Sequence, residues 1–276
     1  MKAFKLFKKK ISWLFRANLI KTMYFNFRVF PLKVACLFPI CIGWRTKIIG
    51  VRRGCISFRK DVTIKPFMVQ LGMAKSKMFA DYGLYTLVRL SKKSRIEFGG
   101  GLTRFYSGCS IILIKKGILT IGDDFIANQC VLIYCSSMVK IGNFCNIGWH
   151  SQIYDTDFHL MYSKNTNTIR NPFGFVQIGN NVWITNRCTI SKGAYIPDYS
   201  IVASNSLFNR DYSDVTTQGN LFAGSPAKLK KTGFFRIRNN SFQKRLFNFF
   251  YESGCKEFYY KGSFDDRLLS YSEELI

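Results

Sequence analysis

The chain of 276 residues holds only two histidines, His150 and His159, nine residues apart. Imidazole titrates near neutral pH, so histidine is the side chain best suited to take a proton from a hydroxyl. His159 ends the run Asp155-Thr156-Asp157-Phe158-His159. A carboxylate at that range can orient an imidazole and stabilise its protonated form. Asp155 and Asp157 are therefore candidate members of the same site. A lone histidine is more often an incidental loop or surface residue, so the assignment depends on what holds this run in place.

The surrounding sequence counts in sixes. Ile178, Ile184, Ile190, Ile196 and Val202 are six apart, and Val182, Cys188, Ala194, Ser200 and Ser206 keep the same period four places later. Upstream, Ile141, Ile147 and Ile153 share the phase, with Cys145 and Ser151 in the small position. Helices repeat at 3.6 and ordinary strands at 2, so neither explains a period of six. A hexapeptide repeat marks a parallel β-helix whose sides are each a short strand and a turn. The aliphatic residue points into a narrow triangular interior and the small one fits the corner. Gly122, Gly142, Gly148 and Gly179 are expected to supply turn conformations that bulkier residues reach at a cost. Between Ile153 and Ile178 the phase slips by one, which predicts a loop thrown out over residues 154–177. Loops on a rigid scaffold commonly carry function.

Composition bounds the rest. The formal charge is +25. It suits an anionic membrane or an acidic ligand, and no nucleic-acid-binding motif accompanies it. The nine cysteines form no CxxC pair, and several fall at interior positions of the repeat. They read as small hydrophobes of a reduced, cytoplasmic protein, without a disulfide framework or zinc site. The longest apolar run, Val34 to Trp44, is well short of the ~20 residues a spanning helix needs.

The chain divides into three segments. Residues 1–45 are basic and helical in pattern. Phe4, Phe7, Ile11, Leu14, Phe15 and Leu19 give residues 2–21 an amphipathic face. That face admits two readings, packing on the protein's own body or lying in an anionic membrane surface. Residues 46–231 hold the β-helix, with irregular early coils to about Gly101. Residues 232–276 carry a second amphipathic helix, Ser241 to Glu252, closed by Gly254 and placed to cap the open end.

The blocks IGNFCNIGWHSQIYDTDFH, IGNNVWITNRCTISKGAYI and GNLFAGSPAKLKK resemble the left-handed β-helix acyltransferases of the maltose/galactoside O-acetyltransferase type, in particular the branch that acetylates surface polysaccharides. The resemblance covers roughly Ile121 to Lys231. It implies an all-β, left-handed parallel β-helix, a homotrimer with active sites between subunits, acetyl-coenzyme A as donor, no metal, and a sugar hydroxyl as acceptor. By the same resemblance His159 is the general base and Asn128 positions the acceptor. The family's acceptor-contacting Asp falls on Ser136, and Asp155 or Asp157 is expected to replace it. On the donor side the resemblance implies Trp183, Asn186, Ser204, Asn209, Arg210, Lys228 and Lys231. The family's small corner residues are replaced by Thr185-Asn186 and by Ala203-Ser204-Asn205-Ser206, so the donor corner departs from the pattern.

The alternative is a non-catalytic, basic β-helical scaffold at a membrane surface. A carbonic anhydrase on this fold needs three histidines around zinc. The nucleotidyltransferases of this fold carry a preceding Gly-rich domain that has no counterpart here. The expectation is thus a cytoplasmic O-acetyltransferase of bacterial surface glycans, peripheral on the inner membrane face.

Overall fold

The computed structural model describes residues 16–73 and 84–260. From Ile40 onward the chain visits three sides in strict rotation. The first side holds Ile40–Ile42, Val69–Leu71, Thr103–Phe105, Ile126–Ala127, Asn146–Ile147, Trp183–Ile184, Ile201–Val202 and Leu221–Ala223. The second holds Thr46–Ile49, Thr86–Leu90, Ser110–Leu113, Leu132–Cys135, Gln152–Tyr154, Thr189–Ile190 and Leu207–Phe208. The third holds Ile56–Phe58, Arg95–Phe98, Ile118–Ile121, Met138–Ile141, Phe175–Ile178 and Tyr195–Ile196. Neighbouring strands on each side pair in parallel, as in Ile147 with Ile184 and Ile184 with Val202. This is the all-β parallel β-helix expected from the period of six. It begins earlier than the regular repeat, because strands from Ile40 already join the ladder.

The period works as expected. Ile141, Ile178 and Ile196 stack on the third side, and Ile153, Ile190 and Phe208 on the second. All are buried, as are the small residues Val182, Cys188, Ala194, Ser200 and Ser206. Each aliphatic side chain therefore meets its counterpart one coil away, at a strand spacing of about 4.8 Å.

The glycines act differently from expectation. Gly122, Gly142, Gly148 and Gly179 are not at positive φ. They are required by close approach: a Cβ on Gly142 would lie 2.6 Å from the carbonyl oxygen of Gly179, and one on Gly148 2.5 Å from that of Thr185. The left-handed turn positions are filled mostly by other residues. Cys130, His150, Arg187 and Asn205 occupy them between the first and second sides. Asp124, Phe144, Asn181 and Tyr199 occupy them between the third and first.

Both ends are closed by side chains. The expected helix over residues 2–21 falls mostly outside the described residues, and at its described end Arg16 to Asn18 are not helical. Asn18 instead caps a new helix, α1 (Leu19–Val29), its side chain accepting from the Lys21 N–H at 2.9 Å. Phe30 and Pro31 end it, since proline disfavours helix in the residue before it. Helix α1 covers the first coil. The Asn26 amide donates to Ile40 O at 2.7 Å and accepts from Ile40 N–H, and Thr22 Oγ1 accepts from Ile42 N–H at 3.0 Å. Side chains thus satisfy the open strand edge. A short turn of helix, α2 (Leu32–Ala35), comes next.

At the far end a helix stands where expected, α3 (Asn240–Ser253), capped by Asn239 and by Gly254 at φ 66°. None of its residues is buried. The interior is plugged instead by the rings of Phe208, Tyr212 and Phe222, with centroids 4.8–5.2 Å apart. The first side's last strand is covered by the antiparallel strand Lys228–Lys231.

All nine cysteines are free, with Cys36 and Cys255 exposed and Cys130 half-buried. Burial pushes the Cys109 and Cys145 thiols up to about 12 and Cys41 up to about 11. Thiolate is the reactive form. Titration of the native protein with an aromatic disulfide should therefore label Cys36 and Cys255 quickly, Cys130 slowly, and the six buried thiols only after denaturation. Rapid native labelling of Cys145 or Cys188 would contradict the interior placement.

Candidate active site

The extra residues between the second and third sides of the fifth coil form a two-stranded arm. At its base Thr156 bridges Phe173 in antiparallel fashion, Asp157 N–H donates to Pro172 O, and Gly174 N–H donates to Asp155 O, the last two at 2.9 Å. Farther out Tyr162–Ser163 pairs with Thr168–Ile169. Lys192, from the next coil, clamps the base by ion-pairing with the Asp157 carboxylate and donating to Asn171 O at 3.0 Å.

Asp155 is not available to a ligand. It is fully buried, and its carboxylate accepts from Ser136 N–H at 2.8 Å, Ser136 Oγ at 2.7 Å and Ser137 N–H at 2.7 Å. It does meet Ser136, the residue whose acidic counterpart it was expected to replace, but from inside the corner. Its role is to hold the turn from the second to the third side and the root of the arm. The neighbouring Cys135 thiol is raised by burial and then by this carboxylate.

Asp157 is half-buried and engaged with Lys192. Neither aspartate hydrogen-bonds the His159 imidazole, so the expected carboxylate–imidazole pair does not form within the chain. What positions His159 is the preceding residue. Phe158, at φ 62°, wedges its ring against Tyr134 at 4.9 Å and Tyr154 at 5.4 Å, the outward residues of adjacent second-side strands. The His159 N–H donates to Asp157 O at 2.7 Å, and its side chain is exposed. Burial and then the Asp157 charge raise the Tyr154 phenol above its usual range. Tyr134, Tyr154 and Lys192 are not among the residues that the sequence singles out. The only signal for the two tyrosines is an outward aromatic at the same place in two successive coils, and Lys192 has none. His150 is an exposed turn residue of the repeat, on the opposite corner of its coil.

The other candidates divide between corners. Between the first and second sides stand Asn128, Asn186 and Ser204. Asn128 Nδ2 donates to Asn146 Oδ1 at 3.1 Å and to Ile147 O at 3.0 Å. Ser204 Oγ donates to Asn186 Oδ1 at 2.6 Å and lies 3.1 Å from Thr185 Oγ1. Asn205 takes the left-handed turn at φ 59°. Lys228 pairs with Ala223 and so ends at this corner, whereas Lys231 pairs with Leu221 at the strand's other end, its ammonium over Phe234 at 5.1 Å. Trp183 lies on the outer first side beneath the Arg236 guanidinium at 4.8 Å. Asn209 and Arg210 are exposed and come directly after Leu207–Phe208, on the same corner as His159, with Arg210 over the Tyr212 ring at 5.3 Å. The chain therefore gathers His159, Asn209 and Arg210 at one corner, and Asn128, Asn186, Ser204 and Lys228 at another. Among the described residues no cluster of three or more metal-ligating side chains occurs.

No protein-family model matches the chain. Among solved structures it is similar to the polySia-specific acetyltransferase NeuO, at 16% identity and a TM-score of 0.44 over 77% of this chain and 98% of that one. It is also similar to the polysialic acid O-acetyltransferase OatWY, at 23% identity and 0.39 over 76% and 94%. A third is AntD, an N-acyltransferase from Bacillus cereus solved with dTDP and coenzyme A, at 16% identity and 0.38 over 78% and 88%. At these identities and scores the function has to be argued from the residues of the site and not from the likeness.

The two aspartates should separate cleanly on substitution. Asp155→Ala strands buried donors and should cost about 3 kcal/mol of stability. Asp157→Ala removes a partly exposed pair and should cost at most about 1 kcal/mol. Urea unfolding midpoints measure both. Equal, small losses would mean that Asp155 does not hold the corner.

Proposed function

We propose that the chain is an acetyl-coenzyme A-dependent O-acetyltransferase of a bacterial surface glycan or its precursor, with His159 as general base. The observation that carries the reading is the arm itself. An insertion in an otherwise regular coil is braced by Asp155, Lys192 and Phe158, and it presents one imidazole, uncommitted to either neighbouring carboxylate, to solvent. Bracing of that kind has a purpose when the imidazole must meet a substrate at fixed geometry.

The chemistry balances simply. The imidazole takes the proton of the attacking hydroxyl as its oxygen bonds the thioester carbonyl carbon. The carbon–sulfur bond then breaks, and the imidazolium returns the proton to the departing coenzyme A sulfur. Arg210 and Lys228, at the two corners, supply charge for the coenzyme's phosphates, whereas Lys231, expected to join them, lies at the other end of its strand. The outward rings of Tyr154, Tyr134 and Phe158 offer an apolar face for a sugar ring beside His159.

Two corners of one chain cannot both face one small substrate, so the reading includes a homotrimer. In it the His159 corner of one copy meets the Asn128 corner of the next. The arm suits such a seam, since Leu160, Met161, Tyr162 and Ile169 are all exposed on it. The reading also keeps a cytoplasmic, peripheral location. No helix among the described residues is long and apolar enough to cross a membrane.

Incubation with acetyl-coenzyme A and candidate glycans, read by mass spectrometry, tests the reaction. His159→Ala should lower the rate about 10²–10⁴-fold and leave the thermal shift produced by acetyl-coenzyme A in place. Unchanged turnover would remove His159 from the chemistry. No thermal shift with the native protein would favour the scaffold.

A further inference from the structure

We infer that the outward face of α1 is a docking surface for an anionic lipid bilayer, seated on the blunt N-terminal end of the β-helix. The inference rests on the peripheral location proposed for the enzyme and moves the contact onto a folded, described surface.

Helix α1 buries a mixed polar and apolar face and leaves an apolar one outside. Thr22, Phe25, Asn26 and Val29 point into the first coil and are buried. On the opposite face, at the same helical spacing, Ile20 is 81% exposed, Tyr24 62%, Met23 52% and Phe27 40%. A helix needs only one apolar stripe to cover a core. A second stripe left in water is unfavourable unless something covers it. The surface continues beyond the helix. The Phe27 ring meets Phe38 at 6.0 Å, and Leu32, Leu37 and Trp44 are exposed on the neighbouring turns. Lys21 pins the helix to this end by donating to the carbonyl oxygens of Trp44 and Thr46, at 3.0 and 3.1 Å.

Charge selects the occupant. The first 60 residues contain 15 Lys and Arg and no Asp or Glu; the first acid is Asp61. This stretch alone supplies +15 of the formal +25. Arg16, Arg28, Lys33, Arg45 and Lys47 are exposed around the apolar face. A second copy of the same surface would bring like charges together. An anionic bilayer accepts both features, burying the apolar side chains at the headgroup boundary and attracting the cations around them.

Flotation of the full-length protein with phosphatidylcholine vesicles containing about a third phosphatidylglycerol tests the inference. The native protein should float with these vesicles, less so in high salt, and weakly with phosphatidylcholine alone. Ile20→Glu with Tyr24→Glu should reduce the partition at least tenfold. Arg28→Gln with Lys33→Gln, which leaves the apolar face intact, should weaken binding to the anionic vesicles only. Circular dichroism and thiol titration confirm folding of each variant. Native-like flotation of folded Ile20→Glu/Tyr24→Glu protein would overturn the inference and assign binding to another segment. So would a loss of self-association in that variant without any change in lipid binding, which would identify a second copy as the occupant. Acetyl transfer to a soluble acceptor should be unchanged in both variants, so failure here is distinguishable from failure of the enzymatic reading.

Discussion

Stacking of like on like at the strand spacing is the interaction on which the rest depends. Ile147, Ile184 and Val202 form one column, Ile141, Ile178 and Ile196 another, and Ile153, Ile190 and Phe208 the third. Each layer buries its aliphatics only because the adjacent layers are in register. That constraint leaves no freedom within a side, so variation is pushed to the corners and the ends. The candidate site residues sit there for the same reason. The arm with His159, the Asn186–Ser204 pair and the cationic strand are all corner or end features.

The interior was legible because a period of six reports directly which residues share a column. The extruded loop was legible as a one-residue slip between Ile153 and Ile178. Its internal bracing was not. Asp155 and Asp157 look equivalent in the sequence, two residues from one another beside a histidine, yet one points into the corner toward Ser136 and the other out toward Lys192. Nothing local distinguishes them, because their partners lie about 20 and 35 residues away. The glycines misled in a related way. Their need comes from the backbone of the next coil, a contact 37 residues distant for both Gly142 with Gly179 and Gly148 with Thr185. The N-terminal closure was also hidden, since Thr22 and Asn26 look unremarkable until they are seen completing a strand edge.

The two ends differ in chemistry, and that gives the molecule a direction. Aromatic rings plug the C-terminal end, while the N-terminal end carries a helix with an exposed apolar face within an acid-free stretch. The arm leaves the fifth coil, four strand spacings or roughly 20 Å from the first. A protein seated on a bilayer by α1 would hold His159 above the surface, within reach of a glycan carried on a lipid and clear of the headgroups.

The proposed site is split between corners and completed by a neighbouring copy. Mixing two variants, each expected to be impaired at one of the corners, tests this arrangement. His159→Ala and Asn128→Ala proteins, unfolded together and refolded as mixed oligomers, should recover about a quarter of the native rate, because that fraction of random seams joins an intact His159 corner to an intact Asn128 corner. A mixture that assembles normally but stays as impaired as its components would place both groups in one chain's own site and rule out a shared one.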